Sequence, residues 1–284
     1  MTSKQLAWLI RRHGVEMTHL SGGSHIASIL SVADIIAVLY SGVLRFNPES
    51  PKMPERDRFI LSKGHAGASI YAALAERGFF DIAELKTHYQ NGSRLSGHVS
   101  HKGIPGVEFS TGSLGHGLPV AAGMAQAAKL DGKKHNVYVV LGDGECDEGS
   151  VWEAALYANH YGLDNLVAIV DHNKMQSLDF CENTMKLSPF AEKWRSFGWN
   201  ALEIDGHDHD ALYDAFAKAK ESTSPTVIIA NTVKGKGISF MEFDILWHYR
   251  FPHDGWEYDG ALKELHAAMP AGISDPYEKE AAEI

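Results

Sequence analysis

Three short apolar runs, residues 137–141 (VYVVL), 166–170 (LVAIV) and 226–233 (TVIIANTV), dominate the pattern of the second half of the chain. None alternates with polar residues as a half-solvated strand would, so each is predicted as a strand covered on both faces, the pattern of a parallel sheet. Between the first two, Ser150 and Glu153 stand in capping-box spacing, ahead of a helix on which Trp152, Ala155, Leu156 and Asn159 share a face. A weaker strand at 200–204 leads into a helical stripe of Leu212, Ala215, Phe216 and Ala219. Strands and helices therefore alternate, which predicts an α/β fold with a doubly wound, mainly parallel sheet flanked by helices. The first forty residues are predicted to be helical, with Ile35, Ile36, Leu39 and Tyr40 at helical spacing, until Pro48, Pro51 and Pro54 break the pattern. No repeat or low-complexity linker divides the chain, so a single domain over 1–284 is expected, with a surface tail from about residue 270.

Composition narrows the classes. With 284 residues, 44% hydrophobic and 22% charged, the chain can bury an ordinary core and is not of disordered type. A formal charge of −10 argues against a broad nucleic-acid surface, and the local basic pair Lys234 and Lys236 does not supply one. Two isolated cysteines, Cys146 and Cys181, are too few for a disulfide framework or a Cys-rich zinc site. The first residues lack the apolar core of a secretion signal, and no run is read as approaching the roughly 20 apolar residues of a membrane span. A cytoplasmic location without membrane partners is expected.

In a doubly wound sheet, ligands collect beyond the carboxyl ends of the strands. Gly142-Asp143-Gly144 follows the first predicted strand, and Asn173 follows the second. The glycines allow tight backbone and close ligand approach, while Asp143 and Asn173 offer oxygens that suit Mg²⁺, a hard cation that shares its octahedral shell with phosphate and water. Taken singly, a GDG is more often an ordinary turn and the Asn an ordinary loop residue; their joint placement is what points to a site.

The stretch GDGECDEGSVWEAALYANHYGLDNLVAIVDHNKMQ resembles the thiamine diphosphate signature, and LSKGHAGASIYAALAERG, GVEFSTGSLGHGLPVAAGMA and NTVKGKGISFMEFDILWH resemble, in order, segments of the N-terminal half of transketolases. The likeness runs from about residue 21 to 248. It implies the diphosphate-binding domain of the thiamine diphosphate fold, with Asp143, Asn173 and the Met175 carbonyl holding Mg²⁺ (or Ca²⁺ or Mn²⁺). The Gly144 amide would meet the cofactor, which would pass close to the backbone at Gly112 and Leu114. Glu148 would join a proton-sharing network with a pyrimidine-binding domain; the plain alternative is a favourable charge near a helix N-terminus. His25, His65, His98 and His248 correspond to the family's histidines around the reacting carbon, His65 and His248 also touching cofactor. Imidazoles suit that task because they titrate near neutrality. The sequence departs from the family pattern at Ala27 and Tyr249, where glycine is usual, and at His116, where glutamine is frequent.

Undivided transketolases are more than twice as long. The resemblance therefore implies a separate C-terminal subunit carrying the pyrimidine-binding domain and its activating glutamate, a heterotetramer, and transfer of a glycolaldehyde unit from a ketose phosphate to an aldose phosphate. Three alternatives stay open: one chain of a 2-oxo-acid dehydrogenase, one chain of a sugar-phosphate synthase, and a non-catalytic cofactor-binding regulatory subunit. The donor and acceptor sugars are not legible.

Overall fold

The computed structural model of the chain describes residues 1–278. Its sheet contains β1 (Arg58–Leu61), β2 (Val137–Gly142), β3 (Leu166–His172), β4 (Asn200–Asp205) and β5 (Thr226–Asn231), all parallel, in the spatial order β1-β2-β3-β5-β4. The three apolar runs form the central strands because both of their faces are covered: Val137 to Leu141 are each 0% exposed. The third run ends earlier than its composition suggests. β5 stops at Asn231, and Thr232 to Lys234 turn off the sheet. β1 was not anticipated; four residues just after a proline-rich stretch are too few for a periodic signal.

The helices are α1 (Ser3–Ser21), α2 (Ile26–Val38), α3 (Gly67–Glu76), α4 (Gly117–Leu130), α5 (Gly149–His160), α6 (Cys181–Thr184), α7 (Phe190–Ser196), α8 (His209–Glu221) and α9 (Trp256–Ala267). One apolar cluster joins α1, α2, α3 and α8 to one face of the sheet, and a second joins α4, α5 and α7 to the other. Every residue of α2 is buried. Residues 26–43 reach a mean hydropathy of 2.0 over 18 residues, long and apolar enough for a membrane span, which corrects the expectation that no run comes near one. A helix apolar all round must be enclosed, and here α1, α3 and α8 enclose it.

The predicted stripe on α8 is buried as expected. On α5 the pattern is displaced: Val151, Ala154, Ala155 and Ala158 face inward and Leu156 is exposed. The capping box is not formed either, since Glu148 is the N-cap and Ser150 Oγ donates to the Gly115 carbonyl at 2.8 Å. The expected tail is docked through residue 278. Asp275 is buried against Arg12 (2.7 Å), and Tyr277 hydroxyl lies 2.6 Å from His13 Nδ1. The remainder of that tail, 279–284, lies outside the described residues.

Candidate functional site

The register of the sheet assembles the site. Gly142 pairs with Asp171 and His172 with Asn231, so the loops leaving β2, β3 and β5 emerge side by side, next to the loop leaving β1. They open into a cleft of about 410 Å³. Asp143, Gly144, Asn173, Met175, Gly112, Leu114 and the four histidines 25, 65, 98 and 248 all line it. Glu148 does not. It is exposed at the head of α5, with its side chain making no cap bond and its Cβ side against Gly115.

Asp143 ties two strand ends together. Its Oδ1 accepts from the Gly144 amide at 2.8 Å and its Oδ2 from the Lys174 amide at 2.6 Å. A side chain on Gly144 would come 2.8 Å from Gln176 Cγ, so any other residue would force Gln176 to shift where these loops cross. Asn173 Oδ1 accepts from the Met175 amide at 3.1 Å. Burial pushes the Asp143 carboxyl up, and no Lys, Arg or His pairs with it among the described residues. A buried carboxylate with no ion-pair contact, offset only by the longer-range pull of His172 and Lys234, beside an amide oxygen and a carbonyl, is a donor set that suits a hard divalent cation.

Several groups that the sequence did not single out as site residues line the cleft (Ser28, Lys63, Glu145 and Lys234) or stand behind it (Asp171). Asp171, 0% exposed, accepts from Lys63 Nζ, Thr232 Oγ1 and, at 2.7 Å, Ser31 Oγ. Burial alone would raise its pKa, but Lys63 and these donors outweigh it and hold the carboxyl below its ordinary value. Glu145 accepts from Ser62 Oγ and from the Gly115 and Gly142 amides at 2.9 and 3.0 Å, which joins the β1 end, the 112–117 loop and the GDG turn. Lys234 is buried without a carboxylate partner among the described residues; its Nζ lies 3.5 Å from the Met175 carbonyl and 3.0 Å from His248 Nδ1. Burial and Lys63 lower its pKa to about 8. Ser28 Oγ is buried, faces this cleft and has no hydrogen-bond partner among the described residues, and the same holds for His25 Nδ1. Unmet polar atoms and an unpaired ammonium around one cavity are the counterpart of a polar, anionic ligand. Lys234 was read only as half of a basic pair with Lys236, and nothing in the sequence pattern marked Lys63 or Ser28.

The histidines converge from four separate segments. Ring centroids of His25 lie 5.0 Å from His65, 5.9 Å from His98 and 5.5 Å from His248. His25 precedes α2 with φ of +74°, a left-handed backbone that costs a non-glycine residue about 1 kcal/mol or more and turns its ring into the cluster. Burial, followed by His98 and Lys234, lowers His25 to about 4; burial and Lys234 lower His248 to about 3. His65 is lowered by burial and Lys63, and His98, the most exposed of the set, by burial alone. All four are therefore neutral imidazoles near pH 7, able to donate at one nitrogen and accept at the other. His116 is exposed at the start of α4 and Ala27 is buried within α2; neither lines the cleft, whereas Tyr249 does.

The fold and the cleft define an α/β protein with a polar cleft at the carboxyl edge of a parallel sheet, the place where such sheets take ligands. Residues 2–244 match the family described as transketolase, thiamine diphosphate binding domain, and the chain belongs to the transketolase family. It is 41% identical over 259 residues to the 6-deoxy-6-sulfo-D-fructose transketolase subunit SqwG of Clostridium sp. (strain MSTE9), covering 90% of this chain and 94% of that one. It is 46% identical over 244 residues to an apulose-4-phosphate transketolase subunit of Actinobacillus succinogenes, covering 86% and 88%. The solved transketolase of Campylobacter jejuni superposes with a TM-score of 0.87 at 30% identity, over 99% of this chain and 45% of that one. The chain thus spans less than half the length of the solved transketolases it matches.

Proposed function

We propose that the chain is the diphosphate-binding subunit of a two-chain transketolase that moves a glycolaldehyde unit from a ketose phosphate to an aldose phosphate. The observation that carries this reading is the convergence of His25, His65, His98 and His248 on the same cleft as Asp143 and Asn173. A 2-oxo-acid dehydrogenase subunit has no comparable need for four imidazoles around the reacting carbon.

In this reading Asp143, Asn173 and the Met175 carbonyl hold Mg²⁺, and Lys234, Ser28 and the Gly144 amide face the diphosphate, with Gly112 and Leu114 against the cofactor. Thiamine diphosphate, once bound, supplies the nucleophilic carbon that carries the two-carbon unit. The neutral imidazoles of His65 and His98 hold and move protons at the sugar hydroxyls, while His25 and His248 stabilise negative charge developing on oxygen. Glu148, exposed at the N-cap of α5, would be the group left free to meet the partner.

A separate subunit bearing the pyrimidine-binding domain would cover the cleft, in a heterotetramer. Two features support a separate subunit: the two relatives above carry the word subunit in their names, and Leu178, next to cleft-lining Ser177, and Leu246, two residues before cleft-lining His248, are 82% and 54% exposed. The chain contributes its part as one domain. Cytoplasmic residence belongs to the same proposal and is supported by the two free thiols, Cys146 and Cys181.

The test is ketose-to-aldose transfer assayed with the chain alone, its partner alone, and the two mixed. Activity only in the mixture is expected, and a mixture without activity would refute the catalytic reading in favour of a regulatory subunit. In parallel, thiamine diphosphate with Mg²⁺ at about 100 times Kd should stabilise the chain by about 2.7 kcal/mol through mass action. Asp143→Ala should remove that gain; equal stabilisation of the variant would reject Asp143 as the metal ligand.

A further inference from the structure

Lys234 stands at the cleft on a short loop that is held from behind. The Val233 amide donates to His207 Nε2 at 2.8 Å, and two residues past Lys234 the Lys236 carbonyl accepts from Arg11 Nε at 3.1 Å. Between these ties the Gly235 amide donates to the Ala27 carbonyl at 3.1 Å. His207 and Arg11 both end on one carboxylate, that of Asp34 in α2. His207 Nδ1 lies 2.6 Å from Oδ2, and the Arg11 guanidinium donates to both oxygens at 3.2 and 2.5 Å. His209 Nε2 fills the remaining side of Asp34 at 3.0 Å and places its Nδ1 2.8 Å from Ser3 Oγ.

The chemistry of these contacts is directional. A backbone amide can only donate, so His207 Nε2 must accept and Nδ1 must carry the proton that goes to Asp34. Arg11 offers a planar fork that satisfies Asp34 with two nitrogens and still has Nε left for the Lys236 carbonyl. Asp34 therefore aligns two residues that grip the loop on either side of Lys234, and it does so on the face of the loop away from the cleft.

We propose that Arg11, Asp34 and His207 form a clamp that positions Lys234 for an anionic ligand in the cleft. They are positioning residues; none of them lines the cleft. Lys234 reaches the cleft on a long flexible side chain, so where its amine stands depends on where the loop carries its backbone. Fixing the loop backbone in advance removes the separate cost of ordering the loop when the diphosphate binds. The inference rests on the proposed role of Lys234 as a cation facing the cofactor diphosphate.

The test is a double-mutant cycle on the full chain, reading Kd for thiamine diphosphate in the presence of Mg²⁺. Loss of the hydrogen bond in His207→Phe should weaken binding by about fivefold to tenfold. His207→Gln, which can keep an acceptor at the Nε2 position, should recover most of it. In the Lys234→Met background, His207→Phe should change Kd by less than about twofold, because the group it positions is gone. Equal losses in both backgrounds, or wild-type affinity in His207→Phe, would overturn the clamp. If His207→Phe does not fold by circular dichroism, Arg11→Gln is read in the same cycle by the same criteria. A wild-type chain that binds no thiamine diphosphate would instead refute the proposed function, and the clamp with it.

Discussion

Tyr249 occupies the mouth of the cleft, 63% exposed, with its ring 4.6 Å from His248 and 5.3 Å from His25. It stands where the family pattern has glycine, so its ring narrows the approach to the histidines without touching the donor set at Asp143. Tyr249→Gly is therefore expected to shift the ratio of kcat/KM between a short and a long aldose acceptor by about tenfold, the scale on which a shape change in a pocket discriminates. Thermal stability should fall only slightly, through the backbone freedom that glycine adds to the unfolded chain, because the side chain is exposed. An unaltered substrate ratio would show that the ring plays no part in selection. At this scale Asp143, Asn173 and the histidines were legible as a motif, because each sits in a distinctive string. Asp171, Lys63 and Ser28 were not, because a buried carboxylate, ammonium or hydroxyl has no sequence signature until its partners are brought to it by chain far away.

At the scale of the element, α4 offers a direct comparison of two glycines. A Cβ on Gly117 would collide with Ser62 Oγ and lie 3.0 Å from the Ser62 Cα, whereas nothing lies within 4 Å of a Cβ on Gly123. Ser62 cannot retreat easily, since its hydroxyl is bound to Glu145 and accepts the Gly117 amide at 3.1 Å. Gly117→Ala should cost about 1–3 kcal/mol by overpacking. Gly123→Ala should stabilise by about 0.5–1 kcal/mol through helix propensity. Urea melts measure both, and equal effects at the two positions would contradict the packing described. The same helix layer shows the limit of pattern reading. On α5 the displaced stripe arose because Ala, not Leu, fits between α4 and the sheet, and Leu156 faces outward. A hydrophobic scale rewards the larger residue, while close helix-to-helix contact selects the smaller one.

Across the whole molecule, six histidines (25, 65, 88, 98, 135 and 248) have pKa values lowered from 6.5, with burial the leading cause in each. His25 and His88 fall to about 4 and His248 to about 3. Below pH 6.5 the unfolded chain binds these protons before the folded one, so stability is full above that value and declines as pH falls toward about 4. Asp143, Glu145 and Asp147, raised by burial, act in the opposite sense at the acid end, but they are fewer. The urea midpoint of the chain without cofactor should therefore drop between pH 7 and about 4.5, and a flat or rising midpoint would show that the histidines are not held neutral by the fold.

The chain's own order of residues was enough to determine the parallel α/β class, the central strands and the loops where oxygen donors and histidines would stand, because burial on both faces leaves unbroken apolar runs and the cofactor motif is contiguous. Only the tertiary structure decided which strand ends lie side by side, that Lys234 turns inward rather than joining Lys236 as a surface charge, and that Arg11, Asp34 and His207 meet behind its loop. Those outcomes depend on strand order and helix packing between residues as much as 225 positions apart, as Arg11 and Lys236 are. Such contacts are made by the folded chain as a whole, and no local pattern of side chains encodes them.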